Sequence, residues 1–88
     1  MISEDRKEVR NQIFKALKYQ FINNDPPETK LTYKRLREMG YSAIETKKYL
    51  ANCLFSELFN MTQENRVFDY VRYKRLLNNL PKLPTEDD

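Results

Sequence analysis

The sequence predicts an all-α fold: a small four-helix bundle, mostly antiparallel, with a central amphipathic third helix. Three observations carry this. Apolar residues recur at the 3.6-residue period in successive stretches of the chain instead of alternating. The chain holds one Gly and four Pro, and every proline lies outside a periodic stretch, a usage that favours helices over a turn-rich β fold. The connections between the stretches are short, which sets successive helices side by side and mostly antiparallel.

The central helix is read from Gly40 to Met61, GYSAIETKKYLANCLFSELFNM. Ser42 and Glu45 have the spacing of a capping box, so a helix starting there has its first backbone donors satisfied. Ile44, Ala51, Leu54, Phe55 and Leu58 then share one face. Ala43, Leu50, Phe59 and Met61 widen it to about half the circumference. A stripe that wide needs more than one neighbour to cover it. Lys47 and Lys48 interrupt the face near its start, which puts that turn at the edge of the core under the lysine stems.

The other helices follow in order. Ser3 is placed to cap a first helix running to about Ile22, with Glu4 and Asp5 at its positive end. Val9, Ile13, Ala16, Leu17 and Gln20 line its inner face, and Asn23-Asn24 continue a helix poorly. Asp25-Pro26-Pro27-Glu28 restarts one, with Asp25 as cap, Pro26 in the first helical position and Glu28 completing the box. This second helix, Pro26 to Met39, has a thin inward stripe of Thr29, Thr32, Tyr33, Leu36 and Met39, and Gly40 ends it as a left-handed residue. Thr62 to Arg66 reads as a break. Asp69 is placed to cap a last helix whose buried face is Tyr70, Tyr73, Leu76, Leu77 and Leu80, and Pro81 stops it. Residues 1–82 are then one helical domain, followed by a flexible acidic tail over 83–88.

Composition bounds the class. Apolar residues are 40% and charged residues 33% of the 88, which fits a soluble globular domain better than a disordered chain. A chain of this length hides only about 60–65% of its unfolded surface, so a core shared with a second copy or a partner is in keeping with its size. No apolar run approaches ~18 residues, so no membrane span is expected. The start MISEDRKEV lacks the apolar region of a signal peptide, and the expected location is cytoplasmic.

Several of these residues together form a recognisable pattern. Asp25-Pro26-Pro27-Glu28-Thr29 is followed by Leu36, Met39-Gly40-Tyr41, Ile44-Glu45 and Ser56-Glu57-Leu58-Phe59, then by Phe68-Asp69, Tyr73, Leu76 and Leu80-Pro81. The pattern resembles a family of small all-helical bacterial modules of unknown function, over about Asn24 to Pro84. The resemblance implies the four-helix fold and a bacterial, cytoplasmic origin. Members tend to carry E-x-x-H early in the central helix. Here Glu45 is followed by Lys48 at the histidine's place, so the chain departs from the family there.

Two surfaces are candidate sites. Lys30, Lys34 and Arg37 recur at spacings of four and three on the second helix, with Arg35 beside them and Lys47 and Lys48 on the third. Between Lys30 and Lys48 there are six basic residues against two acidic ones, Glu38 and Glu45. Clustered positive charge is the footprint of phosphate contact, although a solvated lysine face is the plainer reading and the net charge is only +3. The second surface is on the first helix, where Phe14 and Ile22 lie away from Val9 and Ile13, and Tyr19 lies off the main face. A bundle this short hardly covers both sides of that helix, so a partner surface is expected there. A third pattern, YKRLREMGYSAIETKKYL, sets two helices around a Gly turn as a helix-turn-helix does. Leu36 and Thr46 suit that motif badly, and its reading helix is too apolar to lie in a groove of DNA.

The chain contains no His and a single cysteine, Cys53. An intrachain disulfide is impossible, and neither an N/S zinc site nor a His-activated nucleophile can be assembled within it. Cys53, away from the main stripe, reads as an apolar filler. There is no Gly-rich phosphate loop, and Glu45 and Glu57 fall well apart around their helix, so no carboxylate pair faces a shared cleft. The expectation is a chain that is not an enzyme and takes no metal and no cofactor. It is read as a non-catalytic helical protein-interaction module, with a protein partner or self-association and no membrane. The alternative is a nucleic-acid-binding accessory or regulatory protein using the basic second helix.

Overall fold

The computed structural model describes residues 2–84, with side chains from residue 6 onward. It has four helices, α1 (Ile2–Asn23), α2 (Pro27–Glu38), α3 (Ala43–Glu64) and α4 (Tyr70–Asn79), and no strand among the described residues. The largest dimension is 36 Å, close to the ~33 Å that a 22-residue helix spans at 1.5 Å per residue.

The helix ends show which local signals operate. The backbone is already helical at Ile2, so Ser3 sits inside α1. The capping expected of its side chain, and the charges of Glu4 and Asp5, lie outside the described side chains. Asn24 ends α1 at φ 51°, a left-handed conformation that Asn tolerates. At α2 the cap moves by one residue. Pro26 is the N-cap at φ −78°, ψ 152°, and Pro27 takes the first helical position, with no side chain capping the turn. The reason is steric: a residue before proline is pushed out of the α region, so Pro26 cannot be helical while Pro27 follows it. Asp25 therefore stays outside the helix. Gly40, at φ 104°, closes α2. Its N–H bonds Arg37 O at 3.0 Å, and Tyr41 N–H bonds Leu36 O at 3.2 Å, which is the paired arrangement of a Schellman motif.

Both predicted side-chain caps of the later helices are present. Ser42 Oγ accepts from Glu45 N at 3.1 Å while Glu45 Oε1 accepts from Ser42 N at 2.8 Å, and Asp69 Oδ1 accepts from Arg72 N at 3.0 Å. The first turns of the expected break are helical: α3 continues to Glu64, and Asn65 ends it at φ 51°. The acidic tail expected from residue 83 lies, from residue 85 on, outside the described residues.

Helices α2 and α3 form the middle of the molecule, and α1 and α4 each pack against both. The core joins Ile13 and Leu17 of α1, Leu36 of α2, Leu50, Cys53 and Leu54 of α3, and Tyr73, Leu76, Leu77 and Leu80 at α4. Gln20 links the two outer helices. Its Oε1 accepts from Thr29 Oγ1 at 2.7 Å and from Tyr73 OH at 2.9 Å. Burial pushes the Tyr73 phenol up to about 12. It donates its proton here and stays neutral.

The face that α3 buries differs from the apolar stripe. The buried residues are Thr46, Leu50, Cys53, Leu54 and Glu57. Ile44 is 68% exposed, and Phe55, Leu58 and Phe59 also face outward. Relative to the expected face the helix is rotated by roughly a third of a turn. Polar side chains tolerate the interior when their hydrogen bonds are made, and here they are. Thr46 Oγ1 donates to Ser42 O at 2.8 Å. Smaller corrections follow on the other helices: Val9, Met39 and Tyr70 are exposed where an inward position was expected.

Glu57 is the centre of a buried ionic cluster. Oε1 accepts from Arg72 Nη1 at 2.9 Å and Arg66 Nη2 at 3.1 Å. Oε2 accepts from Arg66 Nη1 at 2.7 Å and from Asp69 N–H at 2.7 Å. Arg72 also donates to Ser56 Oγ at 2.9 Å. Burial acts to raise the carboxyl's pKa, and is the largest single effect. The hydrogen bonds from Arg66, Asp69 and Arg72 outweigh it and hold the group below its ordinary value of 4.5.

Two predictions follow from this packing. Leu54→Ala costs about 2–5 kcal/mol in urea unfolding, whereas Ile44→Ala stays within about 0.5 kcal/mol, although both were assigned to one face. Equal effects would mean that α3 is not rotated as described. For Glu57, a folded-state pKa below the unfolded value means that its stabilisation is complete above about pH 4.5. It is lost as the pH falls through the lower, folded-state value. Glu57→Gln is therefore expected to lower stability at neutral pH by on the order of 3 kcal/mol, since the arginines lose their buried counter-charge. The gap between parent and variant narrows as the pH is taken below 4.5. A gap that is constant with pH would show that this carboxyl does not titrate with folding.

Candidate functional site

A groove with a volume of about 610 Å³ lies between α1 and α3. Its floor is apolar: Val9, Ile13 and Phe14 from α1, Ala51 and Phe55 from α3. Val9 and Ile13 are four residues apart, as are Ala51 and Phe55, so each pair shares one face of its helix, and Phe14 flanks Ile13. Ile13 is buried at the bottom, Phe14 and Ala51 are half-buried, and Val9 and Phe55 stand exposed at the sides. Phe59 continues the apolar surface along α3, its ring stacked on Phe55 with centroids 6.1 Å apart. The rotation of α3 creates this groove. Once Glu57 and Cys53 face inward, Phe55 and Phe59 must face out.

The rim is cationic. Arg6 and Arg10 rise from α1 and Lys48 from α3, and no carboxylate among the described side chains lines the groove. Among the described residues none of these three cations has an ion pair. Of the nearby acids with described side chains, Glu8 accepts from Gln12 at 3.0 Å, and Glu45 bonds the Ser42 amide and also feels the Lys48 charge. Asn52 completes the lining and gives its amide N–H to Lys48 O at 2.9 Å.

The basic residues read from the sequence are divided by the fold. Lys30, Lys34 and Arg37 are exposed on α2, as their spacing requires. Lys30 and Lys34 line a hollow of about 600 Å³ with Phe21 and Tyr33, whose rings meet edge-on at 5.2 Å. Lys47 lines a neighbouring hollow with Leu17, Lys18 and Tyr33, while Lys48 belongs to the α1–α3 groove. Arg35 serves a structural purpose. It donates to Leu77 O at 3.0 Å and Leu80 O at 2.8 Å, capping the carbonyl end of α4.

The expected partner surface is likewise divided. Phe14 packs against the core and lines the groove. Tyr19 and Ile22, at 63% and 71% exposure, stand outside the three hollows described. Tyr49 is half-buried, edge-on to Tyr41 at 5.1 Å. Burial pushes the Cys53 thiol up to about 12. The group is a core filler and unreactive as a nucleophile. Sequence reasoning missed Arg6, Arg10 and Phe55 as site residues because their common feature is a juxtaposition of two helices. The only local sign was the 3–4 spacing of Arg6, Val9, Arg10 and Ile13.

Among the described residues no group of three or more His, Cys, Asp or Glu side chains is placed to hold a metal ion, and no helix is long and apolar enough to cross a membrane. Comparison with protein-family models, with curated proteins and with solved structures finds no match to this chain.

Proposed function

We propose that the chain is a non-catalytic helical module that binds another protein through the α1–α3 groove. The observation that carries this is an open apolar floor shared by two helices, with Val9, Ile13 and Phe14 from α1 and Ala51 and Phe55 from α3. Open apolar surface rimmed by polar groups marks an interaction site, and the groove has the volume of a binding cleft. Among the described side chains its lining offers apolar contact and three exposed cations, with no carboxylate, thiol or hydroxyl. The bacterial setting rests on the resemblance over Asn24 to Pro84 alone.

A second reading has its own support. Lys30 and Lys34 flank Tyr33 and Phe21, and a cation beside an aromatic ring suits a nucleic-acid strand. On this reading the chain is an accessory that holds phosphates on α2.

Photo-crosslinking separates the two. A benzophenone amino acid is placed at Asn52 in the groove, at Lys34 on α2, and at Asn78 on the far side of α4, in cells that make the chain. A discrete protein adduct from position 52, absent from 78, is the expected outcome. Adducts confined to position 34 and removed by nuclease would replace this reading with the second, and equal adducts from all three positions would remove both.

A further inference from the structure

We propose that the α1–α3 groove takes one class of occupant: a short amphipathic helix of a partner protein, with acidic side chains flanking its apolar stripe. This rests on the interaction reading above and specifies its ligand.

Shape is the first argument. The lining runs from Arg6 to Phe14 on α1 and from Lys48 to Phe55 on α3, about 12 Å and 10 Å at 1.5 Å per residue. That accommodates two turns of a third helix, whose apolar residues at i, i+3 or i+4, and i+7 would lie along the floor. An extended segment fits the chemistry poorly. It would turn unpaired backbone N–H and C=O groups toward Val9, Ile13, Phe14, Ala51 and Phe55, none of which can bond them. The single side-chain amide in the lining, Asn52, gives one N–H to Lys48 O and keeps only one N–H and its carbonyl oxygen for a ligand. A helix satisfies its own backbone and presents only side chains.

Charge is the second argument. Arg6, Arg10 and Lys48 surround the floor without an ion pair among the described residues. Carboxylates on the flanks of an incoming helix meet these cations, and a basic helix is repelled by them. A second copy of the chain brings the same net charge of +3 and the same cationic rim, so it is a poor occupant. A nucleic-acid backbone would answer the cations and leave Val9, Ile13 and Ala51 uncovered.

The test is a selection. A displayed library of two-to-four-turn helices with a fixed apolar stripe and randomised flanks is selected on the intact chain. It is selected in parallel on the triple variant Arg6→Glu, Arg10→Glu, Lys48→Glu. All three residues are exposed, and circular dichroism and thermal melting are used to check that the variant keeps its fold. The parent is expected to enrich Asp and Glu at the flanks, and the variant Lys and Arg. A selected acidic peptide, followed by fluorescence anisotropy, is expected to lose about tenfold in affinity to the triple variant and to weaken with added salt. Asn52→Glu, which keeps the three cations and adds a negative rim charge, is expected to weaken the same peptide. Enrichment of neutral or basic flanks by the parent, identical peptides from both proteins, or no enrichment over bare support each overturns the inference. So does a dimer in sedimentation that the triple reversal abolishes, which would put a second copy in the groove. Because the crosslink at Asn52 is read independently, a failed selection with a protein adduct still at position 52 removes the acidic helix and leaves the interaction reading standing. Loss of both removes both.

Discussion

The buried carboxylate of Glu57 is the constraint from which much of this structure follows. A charge with no solvent exposure is tolerated only where both oxygens are fully bonded, and four donors from Arg66, Arg72 and the Asp69 backbone meet that condition. Each donor fixes something. Arg66 and Asp69 hold the connection after α3, and Arg72 holds the first turn of α4. Asp69 in turn caps that turn through Arg72 N–H. The carboxylate therefore determines where α4 begins as well as which way α3 faces.

The rotation of α3 has a consequence on the opposite side of the molecule. Its buried arc runs through Thr46, Leu50, Cys53, Leu54 and Glu57. With a wide apolar stripe and that arc chosen, Phe55 and Phe59 are left outside. An apolar helix is usually oriented by its largest apolar residues. Here a satisfied ionic cluster and a back-bonded threonine take the interior in their place. The same economy of polar groups recurs around Gln20, whose single oxygen serves Thr29 and Tyr73, and at Arg35, which closes the end of α4. Among the described residues no buried side-chain nitrogen or oxygen lacks a partner.

What could be read from the sequence was what is local. The capping box at Ser42, the cap at Asp69, the left-handed Gly40 and the stop at Pro81 each depend on residues within a few positions, and each signal identified its helix end. At Pro26-Pro27 the reading put the cap one residue too early, at Asp25, although the restriction on a residue before proline disfavours a helical Pro26. The face of α3 was not readable. Periodicity weighs apolar residues and counts Glu57 against burial, whereas the arginines that make its burial tolerable arrive nine and fifteen residues later. The groove was less readable still, because Val9 and Phe55 look like ordinary core residues until α1 and α3 are placed together. Arg35 could not be told from Lys34 or Arg37 by spacing alone, since its partners lie more than forty residues away.

The two ends of the bundle are consequently unequal. Helix α4, with only ten residues, is held by Tyr73, Leu76, Leu77 and the following Leu80, by Arg72 at its start and by Arg35 at its end. Helix α1 has 22 residues and, among its described side chains, gives the core two buried ones, Ile13 and Leu17, with Phe14, Ala16 and Phe21 half-covered beside them. Few buried contacts per residue mean a low local free energy of opening. The groove lies along this lightly held helix, so an occupant that touches Val9 and Phe14 on one wall and Ala51 and Phe55 on the other closes apolar surface on both helices at once. Binding there and the docking of α1 are then linked: whatever occupies the groove favours the closed bundle by its affinity for it.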